Sequence, residues 1–217
     1  MAVKTGATVG VLALQGDFGA HAAALGRVGL TARSVRSAAE VLGCAAFVLP
    51  GGESTAIWKL MEGTGIAGAI VAFAASGRPV LATCAGAILL AREVRNPARE
   101  GLGVLPLAAV RNAYGRQLDS AVVQLTEIER TLFGEEPLEA VFIRAPKFAD
   151  LAASVEILAR RDGDPVLLRH GNVLAATFHP ELSSDDRVHR VFAETVAAHF
   201  PALSGGERPA GAAPTRF

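Results

Sequence analysis

Cysteine is scarce: the 217 residues hold only Cys44 and Cys84. Two thiols build no disulfide framework, and their scarcity fits a reducing compartment. Net charge of either sign is missing too, because 21 Lys and Arg balance 21 Asp and Glu. A neutral chain whose Arg-rich stretches carry no interleaved aromatics is a poor match to a nucleic-acid binder. No stretch of about 18 apolar residues runs free of charges or turn signals, so no membrane span is expected. The start runs from Met1 into a strand-like segment without the basic, apolar and cleavage regions of a secretory signal. No histidine pair shows metal-ligand spacing with Cys or Asp, and Gly51-Gly52 lacks the following Gly-Lys-Ser/Thr of a phosphate loop. The expectation is a soluble, cytoplasmic protein that uses neither metal nor cofactor.

Apolar residues are plentiful, at 51% against 19% charged, which predicts a compact core. The length suits one domain, expected over 1–201, with a disordered tail over 202–217 rich in Gly, Ala and Pro. Apolar runs at Val9–Leu14, Leu30–Val35, Phe47–Leu49 and Pro79–Thr83 read as strands. Helical patterns separate them, over 18–28 (with Phe18, Ala22, Leu25 and Val28 near one face), 54–61 and 66–75, and another follows over 86–92. After about residue 102 the pattern becomes mostly extended, with a hairpin at His170-Gly171-Asn172, and a helix over 185–200 closes the chain. The predicted fold class is α/β: a single-domain three-layer sandwich. Its central sheet is mostly parallel with helices on both faces, and an antiparallel extension comes from the second half.

Three segments carry chemistry. Cys84 sits between a strand and a helix with Ala82, Ala85 and Gly86 around it. Small neighbours let the chain turn sharply and leave a nucleophile exposed above the sheet, and a helix start favours thiolate. A buried structural cysteine is the plainer reading. His179 and Glu181 lie in Thr177-Phe-His-Pro-Glu-Leu182 at the end of an apolar strand, where i and i+2 share a face. There the imidazole can take a proton while the carboxylate orients it; an ordinary turn is the alternative. In Pro50-Gly51-Gly52-Glu53-Ser54-Thr55, two glycines let backbone N–H groups approach a ligand or an oxyanion, or else Ser54 or Thr55 simply caps a helix. Doubly wound sheets place their sites beyond the carboxyl ends of strands, where all three segments fall. Cys44 reads as core, His170 as a hairpin residue, and His189 and His199 as residues of the last helix. A partner-facing position for His21 is the weaker reading of that residue.

In this order the segments resemble the class I glutamine amidotransferases. With Leu14-Gln15-Gly16, Arg111-Asn-Ala-Tyr-Gly-Arg-Gln117 and Phe142-Ile-Arg-Ala-Pro146 added, they resemble the glutaminase subunits of pyridoxal 5'-phosphate synthase, from about Val9 to Phe200. Ala82 departs from the glycine common in that family two residues before the nucleophile. The resemblance implies hydrolysis of L-glutamine to glutamate and ammonia through a thioester on Cys84, with His179 and Glu181 completing the triad. It implies an oxyanion hole at Gly52 and Ala85, and substrate binding by Gly51, Gly52, Glu53, Arg111, Ile143 and Arg144. It also implies an activation loop near Gln15, and a barrel-shaped synthase subunit as partner in a hetero-oligomer that makes vitamin B6 cofactor. The same residues leave open a glutaminase for another biosynthesis, or a non-catalytic module that keeps the fold.

Overall fold

The computed structural model describes residues 7–113 and 120–201. The predicted tail over 202–217 and the 114–117 part of the Arg111 string lie outside the described residues. The first half alternates strand and helix: β1 (Thr8–Leu12), α1 (Phe18–Arg27), β2 (Thr31–Val35), α2 (Ala38–Leu42), β3 (Ala46–Leu49), α3 (Ser54–Met61), α4 (Ile66–Ala75), β4 (Val80–Thr83) and α5 (Ala85–Leu90). Then come β5 (Ala91–Arg95), β6 (Arg99–Glu100), β7 (Leu105–Val110), β8 (Ser120–Leu125), β9 (Glu127–Ile128) and α6 (Arg130–Phe133). The chain ends with β10 (Leu138–Ile143), β11 (Lys147–Ala149), β12 (Glu156–Arg161), β13 (Asp164–His170), β14 (Val173–Ala176), a 3-10 turn over Pro180–Leu182, and α7 (Arg187–His199).

Eight strands form the central sheet in the order β2-β1-β3-β4-β14-β13-β12-β9. Pairing is parallel from β2 to β14 and antiparallel from β14 to β9. This is the predicted α/β architecture, with the antiparallel extension supplied by the second half. Every residue of β3, β4 and β14 is buried, as strands covered on both faces require. Alternation sorts their side chains into two cores. Phe47, Leu49, Val80, Ala82 and Ala175 pack with Ile57, Ile70 and Phe73 of α3 and α4. Val48, Leu81, Leu174 and Ala176 pack with Leu25 of α1 and Phe192 of α7. Helices therefore cover both faces of the sheet. No single helix among the described residues is long and apolar enough to cross a membrane.

Three local readings change. The helix expected over 86–92 ends at Leu90, and Ala91–Arg95 pairs instead with β7 and β6 in a four-stranded sheet. There Ala91 and Val94 are buried and Arg92 is exposed, so a second sheet overrides the helical run of Ala and Leu. The face of α1 is His21, Ala24 and Leu25, with Ala22 exposed. The last central strand, expected over Val173–Phe178, stops at Ala176.

Candidate active site

β1, β3, β4 and β14 run parallel, so their carboxyl ends meet at one edge of the sheet. From that edge emerge Gln15, the 51–53 loop, Cys84 and His179. Cys84 follows β4 directly and is the N-cap of α5, with φ 44° and ψ −105°. An L-residue is strained at such angles, and strain of this kind gathers where a side chain must be aimed. Two bonds hold the turn: Cys84 N–H donates to Ala176 O at 2.8 Å, and Ile88 N–H donates to Cys84 O at 3.1 Å. Gly86 supplies the closeness, since a Cβ there would lie 2.2 Å from Leu49 O of β3. Ala82 sits fully buried inside β4 between Leu49 and Ala175. The thiol is buried and lies 3.9 Å from Ile143 O.

His179 and Glu181 do meet, though not as two residues on a strand. His179 is the N-cap of the 3-10 turn, and Glu181 is its middle residue. Pro180, with its fixed φ, starts the turn. Phe178 anchors the approach, fully buried with its ring 5.5 Å from that of Phe142. His179 N–H donates to Val141 O at 2.8 Å. The His179 Nδ1 lies 2.7 Å from Glu181 Oε1. A carboxylate only accepts, so Nδ1 carries the proton and Nε2 is left for Cys84. Burial disfavours the charged imidazole, but hydrogen bonds to Cys84 and Glu181, with their charges, outweigh it and raise the His179 pKa to about 10. Burial likewise opposes ionisation of Glu181, yet the hydrogen bond from His179 and the close approach of His21 hold that carboxyl far below its usual range.

A cavity of about 210 Å³ opens over these groups. That is below the ~300–1,000 Å³ typical of drug-sized ligands and suits something of amino-acid size. Of the predicted site residues, Gln15, Gly52, Glu53, Cys84, Arg111, Ile143, Arg144 and His179 line it. Ser54, Ile88 and Asn112 line it as well. Gly51 lies under the His179 ring, Ala85 is buried at the start of α5, and Glu181 is buried behind His179. Glu53, rather than Ser54 or Thr55, caps α3: its carboxylate accepts from Thr55 N–H at 3.1 Å and Ala56 N–H at 2.7 Å. The same carboxylate pairs with Arg111 Nη2 at 3.2 Å. Desolvation is outweighed by these donors, which keep Glu53 ionised below its ordinary range. Gln15 Oε1 accepts from Glu53 N–H at 2.7 Å and lies against Gly52, whose φ is 153°.

Residues 11–198 match the SNO glutamine amidotransferase family. The chain belongs to that family. It is 48% identical over 188 residues to a protein named pyridoxal 5'-phosphate synthase subunit PdxT from Koribacter versatilis, covering 87% of this chain and 95% of the relative. Against the protein of the same name from Thermus thermophilus, identity is 50% over 188 residues, covering 86% and 96%. A crystal structure of a glutamine amidotransferase superposes with a TM-score of 0.79 at 46% identity, covering 87% of this chain and 98% of that one. The PurLQS structure from Thermotoga maritima shares the fold alone, at 16% identity and a TM-score of 0.62, covering 90% and 97%.

In this amidotransferase two histidines crowd behind the site that sequence reasoning did not place there. His21 is fully buried, not at a surface, with Nε2 3.1 Å from Thr83 Oγ1 and 3.4 Å from Glu181 Oε2. His189 of α7 is also fully buried, its ring 5.9 Å from that of His21. The one available signal was their spacing, since each falls in step with apolar residues on its own helix.

Proposed function

We propose that this chain hydrolyses L-glutamine to glutamate and hands the ammonia to a pyridoxal 5'-phosphate synthase subunit for vitamin B6 biosynthesis. The observation that carries this is the convergence of Cys84 and His179, from two separate segments, on one small cavity, with Glu181 behind the His179 ring, in a chain of this family. Cys84 sulfur attacks the side-chain amide carbon of glutamine, and the oxyanion of the tetrahedral intermediate accepts from the Gly52 and Ala85 amides. As the C–N bond breaks, His179 protonates the departing nitrogen, releasing ammonia and leaving a thioester. Water then attacks the thioester carbonyl, His179 takes its proton, and glutamate leaves as the sulfur is freed. The raised pKa of His179 suits its role as the acid of the first half. Glu181 fixes the ring through Nδ1.

Arg111 takes the substrate carboxylate, because it lines the cavity and a guanidinium offers paired donors that suit a carboxylate. Gly51, Gly52, Glu53, Ile143 and Arg144 shape the rest of the substrate site. Gln15 belongs to an activation loop, since its side chain occupies the flank of Gly52 where the oxyanion forms. The acceptor chemistry resides in a barrel-shaped synthase subunit, which docks over the cavity in a hetero-oligomer and keeps ammonia from solvent. The test is glutamate release from glutamine by the chain mixed with such a subunit. The mixture should release glutamate, and Cys84→Ala should abolish release while binding to the subunit persists. A silent wild-type mixture, or turnover by Cys84→Ala, would overturn the proposal.

A further inference from the structure

We propose that His21 is a positioning residue that holds the second oxygen of Glu181, so that the triad carboxylate is gripped from both sides. The inference rests on the triad reading above. Three elements meet at the His21 ring. It projects from α1, lies 3.4 Å from Glu181 Oε2 in the 3-10 turn, and lies 3.1 Å from Thr83 Oγ1 at the end of β4. Thr83 directly precedes Cys84, so one ring ties the strand that presents the nucleophile to the turn that presents the carboxylate.

The chemistry sets the tautomer. A carboxylate oxygen only accepts, so the His21 Nε2 facing it carries the proton, and the Thr83 hydroxyl accepts from the same N–H. The other ring nitrogen, Nδ1, is buried with no hydrogen-bond partner among the described residues. A leucine or phenylalanine would fill this space without stranding a polar atom. What the histidine adds is an Nε2–H that meets Thr83 Oγ1 at 3.1 Å, with Glu181 Oε2, which has no hydrogen-bond partner among the described residues, 3.4 Å from the same nitrogen. It matters because the terminal torsion of a glutamate is broad. Held by His179 at Oε1 alone, the carboxylate could swing about that contact. Held at both oxygens, its plane is fixed, and with it the plane of the His179 ring. His189 backs the arrangement as an uncharged ring, since burial pushes its pKa down to about 3. Neither of its ring nitrogens has a hydrogen-bond partner among the described residues, so it makes no such contact with the carboxylate.

The experiment compares His21→Gln, His21→Asn and His21→Phe with wild type, each with the synthase subunit present. Glutamate release gives kcat and KM, and thermal melting follows the fold. Glutamine carries its amide nitrogen out toward the position of Nε2, whereas asparagine stops short near Nδ1, and phenylalanine keeps only the bulk. Asn and Phe should lower kcat by roughly tenfold to hundredfold with KM little changed, the scale of an ångström-level misplacement. Gln should restore kcat to within about threefold of wild type. If Phe melts out, the Gln and Asn pair decides the matter. Folded Asn and Phe variants with wild-type kcat would overturn the proposal. So would a Gln variant as impaired as Asn, because the ring would then serve packing alone. An inactive wild type would remove the triad reading and this inference together.

Discussion

Replacing Gly51 by alanine adds one methyl group at the point where the loop meets the His179 ring. The Cβ would lie 2.2 Å from His179 Cε1 and 2.8 Å from Nδ1. Ordinary carbon contacts begin near 3.4 Å, so the ring must retreat by about 1.2 Å. It has little room to do so while Nδ1 stays 2.7 Å from Glu181 and the His179 N–H stays on Val141 O at 2.8 Å. A misplacement of about 1 Å costs on the order of 100-fold in rate, or about 2.7 kcal/mol of barrier. Overpacking of this kind lowers stability by only about 1–3 kcal/mol, so the fold should survive. Gly51 is not held at a positive φ, so alanine carries no backbone penalty and the effect is steric. Glutamate release with the synthase subunit present should therefore fall about 100-fold in kcat while the melting transition remains cooperative. Gly68→Ala is the control: it lies exposed inside α4 with nothing within 4 Å of its would-be Cβ. It should raise stability by about 0.8–1 kcal/mol and leave kcat alone. A Gly51→Ala enzyme with full kcat would show that the His179 ring does not work from the position described.

Two further outcomes follow from named groups. Arg111→Ala should raise KM for glutamine by roughly tenfold to hundredfold with a smaller change in kcat, because a lost charged hydrogen bond is worth about 1.5–3 kcal/mol. An unchanged KM in steady-state kinetics would remove Arg111 from substrate binding. His189 should make the protein acid-labile: its folded pKa is about 3 against 6.5 unfolded, so between those values the unfolded chain binds a proton that the native chain refuses. Stability from this group is present above 6.5 and is lost as pH falls toward 3, by about 2–3 kcal/mol at pH 4.5. His189→Phe should flatten that part of the urea-midpoint profile; a wild-type slope in the variant would refute the assignment.

Much of the parallel half was legible because its physics is local. Strands such as Phe47–Leu49 are short apolar runs ended by Pro50 and glycine, and α3 and α4 carry strong helical patterns bounded by glycines. The second sheet was not legible. Ala91–Arg95 is stabilised as a strand by β7 and β6, and nothing within those five residues reports the neighbours. The hairpin at Gly171-Asn172 was readable because its turn chemistry is contained in the turn itself.

The site divides along the same line. Cys84, His179, Glu53 and Arg111 could be named because their chemical types stand next to informative neighbours. The reason offered for pairing His179 with Glu181 failed, since neither lies on a strand. The contact arises because a proline-started 3-10 turn folds the carboxylate back under the ring it follows. His21 shows the deeper limit. The expected face of α1 held Ala22 rather than His21, and the only outward position considered for that histidine, facing a partner, was the weaker reading. In the folded chain its partner Thr83 is 62 positions away, and burial is what turns an ordinary imidazole into a directional donor. A reactive group can thus be recognised from its own segment. The neighbours of such a group are fixed by which helices and strands come to rest against it, which explains why Cys84 was legible and the approach of His21 to Glu181 was not.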